Sequence, residues 1–256
     1  MPRHAILGVE GQHDQAFIAK LLRRMGLANY DGVHTGLDPF WQPFVPPYPT
    51  GGKLYVRTAM PSIVFNADIS VAIYAGEGTN LREKFPATFV SNPIYKTDVA
   101  GFGIIADSDN SPCARVAAEY AAIYRQHFPQ FPDAPGHIDL SPIRTGIFVL
   151  PDNVNQGTLE DVLLDCANVV YPNLRTQAQG YLASIDRTVL SGPDLAEIRK
   201  PAGENKAWAS CISSVLKPGK TIQTSIQDNR WLEPTTLTLP RVAAVSNFLR
   251  QLLALP

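Results

Sequence analysis

The stretch HAILGVEGQHDQAFIAKLLRRM (residues 4–25) reads as a strand, a turn and a helix in succession. Residues 4–9 form an apolar run that ends at Glu10. From residue 12 the spacing changes, and Phe17, Leu21 and Met25 fall four residues apart, on one face of a helix. Glu10 therefore stands at the carboxyl end of the strand. Asp14 falls in the first turn of the helix, where the macrodipole favours an anion. His13 lies between them and reads as a partly exposed helix residue.

The same unit recurs along the chain. ISVAIYA (69–75) is nearly all apolar, as expected of a strand covered on both faces. It runs into Gly76-Glu77-Gly78, after which Thr79 or Asn80 offers a helix cap. GFGIIA (101–106) ends at Asp107-Ser108-Asp109, and a helix follows from about Pro112 with Val116, Tyr120, Ile123 and Tyr124 on one side. GIFVL (146–150) leads through a polar loop to TLEDVLLDCANVV, a helix capped by Thr158 with Asp161 three residues on. Such alternation predicts an α/β fold, a mainly parallel sheet flanked by helices on both faces.

Two regions depart from the alternation. Residues 31–69 form an insert. Its first part, DPFWQPFVPPYPTGG, is rich in proline and aromatics, with Trp41, Phe44 and Tyr48 expected to anchor it on the body. Its second part holds two extended runs, KLYVRT (53–58) and SIVFNA (62–67). From residue 171 the pattern is helical, with helices expected at 173–190, 203–216 and 239–254. The expected organisation is a core over 1–170, containing the insert, and a helical C-terminal extension over 171–256 packed on it.

With 45% hydrophobic residues and a mean hydropathy of -0.05, the chain is globular in character. Its net charge of -1 excludes a strongly basic footprint, so any nucleic-acid contact must use a local patch. The three cysteines (Cys113, Cys166 and Cys211) fit no zinc spacing and read as reduced thiols of a cytoplasmic protein. No run approaches the roughly 18 apolar residues of a membrane span. The pattern Lys217-Pro-Gly-Lys-Thr221 ends like a phosphate-binding loop, but Ser214 stands where its first glycine belongs and no strand leads in.

The acidic residues sit where open parallel sheets bind ligands, beyond the carboxyl ends of the strands. Glu10 ends the first strand, Asp107 and Asp109 follow the GFGIIA strand, and Glu160 and Asp161 follow the last. If their strands are neighbours, Glu10 and the Asp-x-Asp pair converge. Converging carboxylates repel one another and are relieved by raised pKa values or by a bound cation. An all-oxygen set suits a hard ion such as Mg2+ or Mn2+.

Val9-Glu10-Gly11-Gln12-His13-Asp14 resembles the first motif of the Toprim family, and Ile104-Ile105-Ala106-Asp107-Ser108-Asp109 resembles the second. Leu150-Pro151-Asp152 with Gly157-Thr158-Leu159-Glu160-Asp161, together with the Tyr74–Gly78 loop, is similar to a stand-alone Toprim-like group related to the OLD-type nucleases. The resemblance covers about residues 4–26 and 70–168. It implies two Mg2+ or Mn2+ ions held by Glu10, Asp107 and Asp109, with Asp14 and Glu160 as further acidic positions. It also implies Glu10 as ligand or general base and Lys206 as the cation facing the phosphate. The chemistry implied is metal-dependent hydrolysis of phosphodiester bonds in DNA or RNA. The insert and the lack of a fused ATPase domain depart from the OLD pattern. Two alternatives stay open: a metal-binding effector subunit activated by an ATPase partner, and a small-molecule phosphohydrolase capped by residues 31–69. The nuclease reading expects a basic rim drawn from Arg23, Arg24, Lys84, Lys96, Arg115 and Lys206.

Overall fold

A computed structural model describes residues 2–46 and 60–256. At its centre is a strand β1 (Arg3–Val9), flanked by β4 (Ile69–Ala75) on one side and β5 (Gly101–Asp107) on the other. Both pairings are parallel, with Val9 level with Ala75 and with Ile105. Beyond β5 lies β7 (Arg144–Leu150), also parallel. The edges are antiparallel: β3 (Ser62–Phe65) and β2 (Ala28–Asn29) extend the sheet past β4, and β6 (Ile138–Asp139) lies beyond β7. The order β2-β3-β4-β1-β5-β7-β6 makes a mixed, mostly parallel sheet. The expected α/β fold is what the chain adopts.

Alternation along β1 divides the core. Ala5, Leu7 and Val9 face one layer, which holds α1 (Gln12–Arg24), α6 (Leu159–Val170) and the C-terminal helices. Ile6 faces the other, with Ala72, Ile104, and Val116 and Tyr120 of α5 (Cys113–Tyr124). The insert joins this second layer through Trp41, fully buried, and Phe44. The Trp41 indole N–H donates to Ser70 Oγ of β4 at 2.8 Å. Tyr48 and the run 53–58 lie outside the described residues.

Glycines let the last helix reach the sheet. A Cβ on Gly103 would stand 2.4 Å from Leu252 Cδ2, and one on Gly146 would stand 3.0 Å from the Phe248 ring. Both partners belong to α12 (Pro240–Leu253), so β5 and β7 present no side chain at these two positions where that helix lies on them.

The helical C-terminal region forms with one correction. The expected helix 173–190 stops early as α7 (Pro172–Ser184). The chain then restarts in α8 (Gly192–Ile198), because Ser191 and Asp194 cap each other's backbone and Pro193 fits only a first turn. The other two expected helices appear as α9 (Gly203–Leu216) and α12, with the unexpected short α10 (Ile222–Asp228) and α11 (Pro234–Leu237) between them. After β4, TNLREKF divides between α2 (Asn80–Glu83) and the start of α3 (Phe85–Ser91), and a short α4 (Ile94–Thr97) precedes β5. Among the described residues, no helix is long and apolar enough to cross a membrane.

Candidate functional site

Because β1 and β5 are neighbours, Glu10 and Asp107 leave the sheet side by side at its carboxyl edge. The backbone then fixes the rest of the site. Past β5 the chain turns sharply, and Asp109 adopts a left-handed conformation with φ 48°. The N–H groups of Ser108 and Asp109 both donate to the Gly157 carbonyl, at 3.1 and 2.9 Å. This bond draws the start of α6 to the end of β5. The Leu159 N–H, in the first turn of α6, donates to Asp107 Oδ1 at 3.0 Å.

Each acid is held by its own partner. Tyr120 on α5 donates its hydroxyl to Glu10 Oε1 at 3.1 Å. Asp14 Oδ2 accepts from the Gly11 N–H at 2.8 Å, which closes the start of α1. Glu160 Oε2 accepts from Thr158 Oγ1 at 2.9 Å, and its Oε1 lies 3.5 Å from His13 Nδ1. Asp161 points elsewhere: it accepts from the Thr158 N–H at 2.8 Å and from Asn205 at 2.9 Å, as a helix cap.

Glu10, Asp14, Asp107 and Glu160 line one cleft of about 580 Å³ with His13 and Lys206. Asp109 does not line it. It is exposed and lines an adjoining cavity of about 570 Å³, which shares Lys206 with the cleft. Lys206, on the first turn of α9, therefore stands between the acids of both. The rest of the expected basic rim is not gathered there. Arg115 pairs with Glu119 at 2.9 Å, Arg23 and Arg24 sit at the other end of α1, and Lys84 and Lys96 line neither cavity.

The electrostatics follow from crowding in a low-dielectric wall. Burial, then the charges of Asp14, Glu10, Glu160 and Asp109, push Asp107 well above the ordinary carboxylate range. Burial and the neighbouring Glu10 and Glu160 push Asp14 up to about 7. Glu10 is raised by burial and by Asp109, against the pull of Tyr120 and Arg82. Glu160 differs: burial raises it, but His13, Lys206 and Thr158 together outweigh burial and leave it lowered.

Tyr120 and Arg82 are site residues that the sequence did not reveal. Tyr120 reads as one of an apolar helical series, and only the tertiary fold shows its hydroxyl at Glu10. The Arg82 guanidinium lies 4.6 Å over the Tyr120 ring and bonds Glu119 at 2.9 Å.

The donor chemistry fits a hard divalent cation: the acids are all oxygen donors, and burial together with like charge disfavours their ionised forms. Among the described residues, no group of three or more His, Cys, Asp or Glu is arranged to hold a metal as the side chains stand.

A family model described as a protein of unknown function (DUF3226) matches residues 4–254. The chain belongs to this family. The DUF3226 chain is similar to a hypothetical protein of Pyrococcus horikoshii OT3 known from its crystal structure, at 15% identity. That likeness covers 98% of this chain and 95% of the other, with a TM-score of 0.47. No curated protein matches.

Proposed function

We propose that this chain hydrolyses phosphodiester bonds of nucleic acid with two divalent cations, Mg2+ or Mn2+, held by Glu10, Asp14, Asp107, Asp109 and Glu160, in the manner of a Toprim nuclease. The observation that carries the reading is the convergence of four of these carboxylates, from β1, α1, β5 and α6, in one cleft with Lys206. A protein gains nothing in stability by burying like charges together, so such a cluster points to a cationic ligand.

The chain's own groups have distinct tasks in this reading. Tyr120 orients Glu10 through Oε1, leaving Oε2 to take the proton of an attacking water. Lys206 Nζ faces the charge that develops on the phosphoryl oxygens. The Leu159 N–H holds Asp107 in place. When bound, the cations supply a Lewis acid at the phosphate and lower the pKa of water.

Titrating Mn2+ into wild type and Asp107→Ala, then incubating each with plasmid DNA and structured RNA, tests the proposal. Wild type is expected to bind the metal and cleave, and the variant to lose cleavage by at least a hundredfold. Equal metal binding by both proteins would sink it.

A further inference from the structure

A separate cavity, of about 350 Å³, opens at the other end of α1. Four cations line it, Lys20, Arg23, Arg24 and Arg230, against two carboxylates, Asp228 and Glu233. Both carboxylates are already engaged. Glu233 takes Arg230 through both oxygens, at 2.7 and 2.9 Å, and Asp228 takes Lys217 at 2.9 Å.

Among the described residues, the other three cations have only backbone hydrogen-bond partners. Lys20 Nζ donates to the Asn229 carbonyl, Arg23 to that of Gln227 at 3.4 Å and Arg24 to that of Leu232 at 2.9 Å. Lys20 is only 5% exposed, so its charge is held away from water. Arg23 Nε is buried and has no hydrogen-bond acceptor among the described residues. One cation is enough to complement the carbonyl end of α10. Three gather here, with one buried donor left over and, among the described residues, no carboxylate bonded to any of them.

The position of this cavity is set by two helices. The side chains of Gln12 and Gln223, at the starts of α1 and α10, bond at 2.9 Å beside the acidic cleft. Lys20 and Arg23 meet the end of α10. The two helices therefore run side by side in the same direction, from the acidic cleft to the basic cavity. Gln12 to Lys20 is eight residue steps, about 12 Å at ~1.5 Å per residue, a distance that a short run of nucleotides spans.

We propose that the cavity formed by Lys20, Arg23, Arg24 and Arg230 binds a phosphate group of the nucleic-acid strand, a few nucleotides from the phosphate at the acidic cleft. The inference rests on the nuclease reading for the strand's identity, and on the cavity alone for phosphate.

The test is binding in EDTA, where cleavage does not enter. Inorganic phosphate is titrated into wild type and into the double variant Arg23→Gln/Arg24→Gln by calorimetry. A labelled twelve-nucleotide DNA, single-stranded and duplex, is titrated by anisotropy across a KCl series. Wild type is expected to bind phosphate, and the variant to bind it at least tenfold more weakly. The variant is also expected to lose about one unit from the slope of log K against log salt for DNA. Should the double variant melt early, Arg24→Gln, at an exposed position, is read in its place, with a threefold or greater loss of phosphate affinity expected. Equal phosphate binding by wild type and variant overturns the site. Loss of phosphate binding with DNA binding unchanged overturns the strand assignment and leaves a site for free phosphate. Both expected losses, with no cleavage by wild type in Mn2+, uphold the cavity and overturn the nuclease reading instead.

Discussion

Asp14 shows how one residue serves fold and site together. Its carboxylate closes the first turn of α1 on the Gly11 N–H, while burial and the charges of Glu10 and Glu160 raise its pKa to about 7. An aspartate at a helix start is ordinary and legible from sequence; its elevated pKa is not, because the responsible neighbours lie on other elements. The sign of the pH effect follows. The folded pKa lies above the unfolded value, so the stability Asp14 contributes is full below about pH 4 and is lost as pH rises through about 7. The metal-free protein is expected to lose thermal stability across that window, and Asp14→Asn is expected to lose less. Thermal melts in EDTA from pH 4 to 8 check this. With Mn2+ added, the rise in Tm should be larger at pH 8 than at pH 5, because the metal competes with protons for the same oxygens.

At the scale of elements, the seat of α12 on the sheet depends on positions without side chains. Leu252 fills the space over Gly103, and a Cβ there would meet its methyl at 2.4 Å. Gly103→Ala is expected to destabilise the fold by about 1–3 kcal/mol through overpacking, read as a lower urea midpoint with an unchanged m-value. Gly101 and Gly103 were visible in sequence within the strand GFGIIA. That they make room for a helix some 150 residues later could not be read, since nothing in the local pattern names the partner. The turn after β5 is similar. Asp107-Ser108-Asp109 was readable as a strand end, but the left-handed Asp109 and its bond to Gly157 are long-range facts. They direct Asp109 out of the cleft that its sequence spacing had assigned to it.

For the whole molecule, the layer under α1 is completed by the C-terminal helices. Ile212, Ile226, Trp231, Val242, Val245, Leu249 and Leu252 are buried in the same cluster as Leu7, Leu21 and Leu163. Burying each such side chain contributes about 1.5–3 kcal/mol, against a typical net stability of about 5–15 kcal/mol. A chain ended after residue 170 is therefore expected not to fold. Loss of near-ultraviolet circular dichroism and of a cooperative urea transition would show it, whereas a cooperative transition would mean the first 170 residues suffice.

The sequence by itself determined the strand-and-helix alternation, the α/β class, and the acids at the strand ends, because apolar period and capping residues are local signals. It also placed Trp41 and Phe44 against the body. Tertiary structure alone decided that Glu10 and Asp107 are adjacent, since strand order depends on which faces pack and not on any segment's own pattern. It likewise decided that Tyr120 and Arg82 attend Glu10, and that Arg23 and Arg24 gather with Lys20 and Arg230 away from the acids. Charge is additive along a sequence, but a field depends on where the backbone sets each charge.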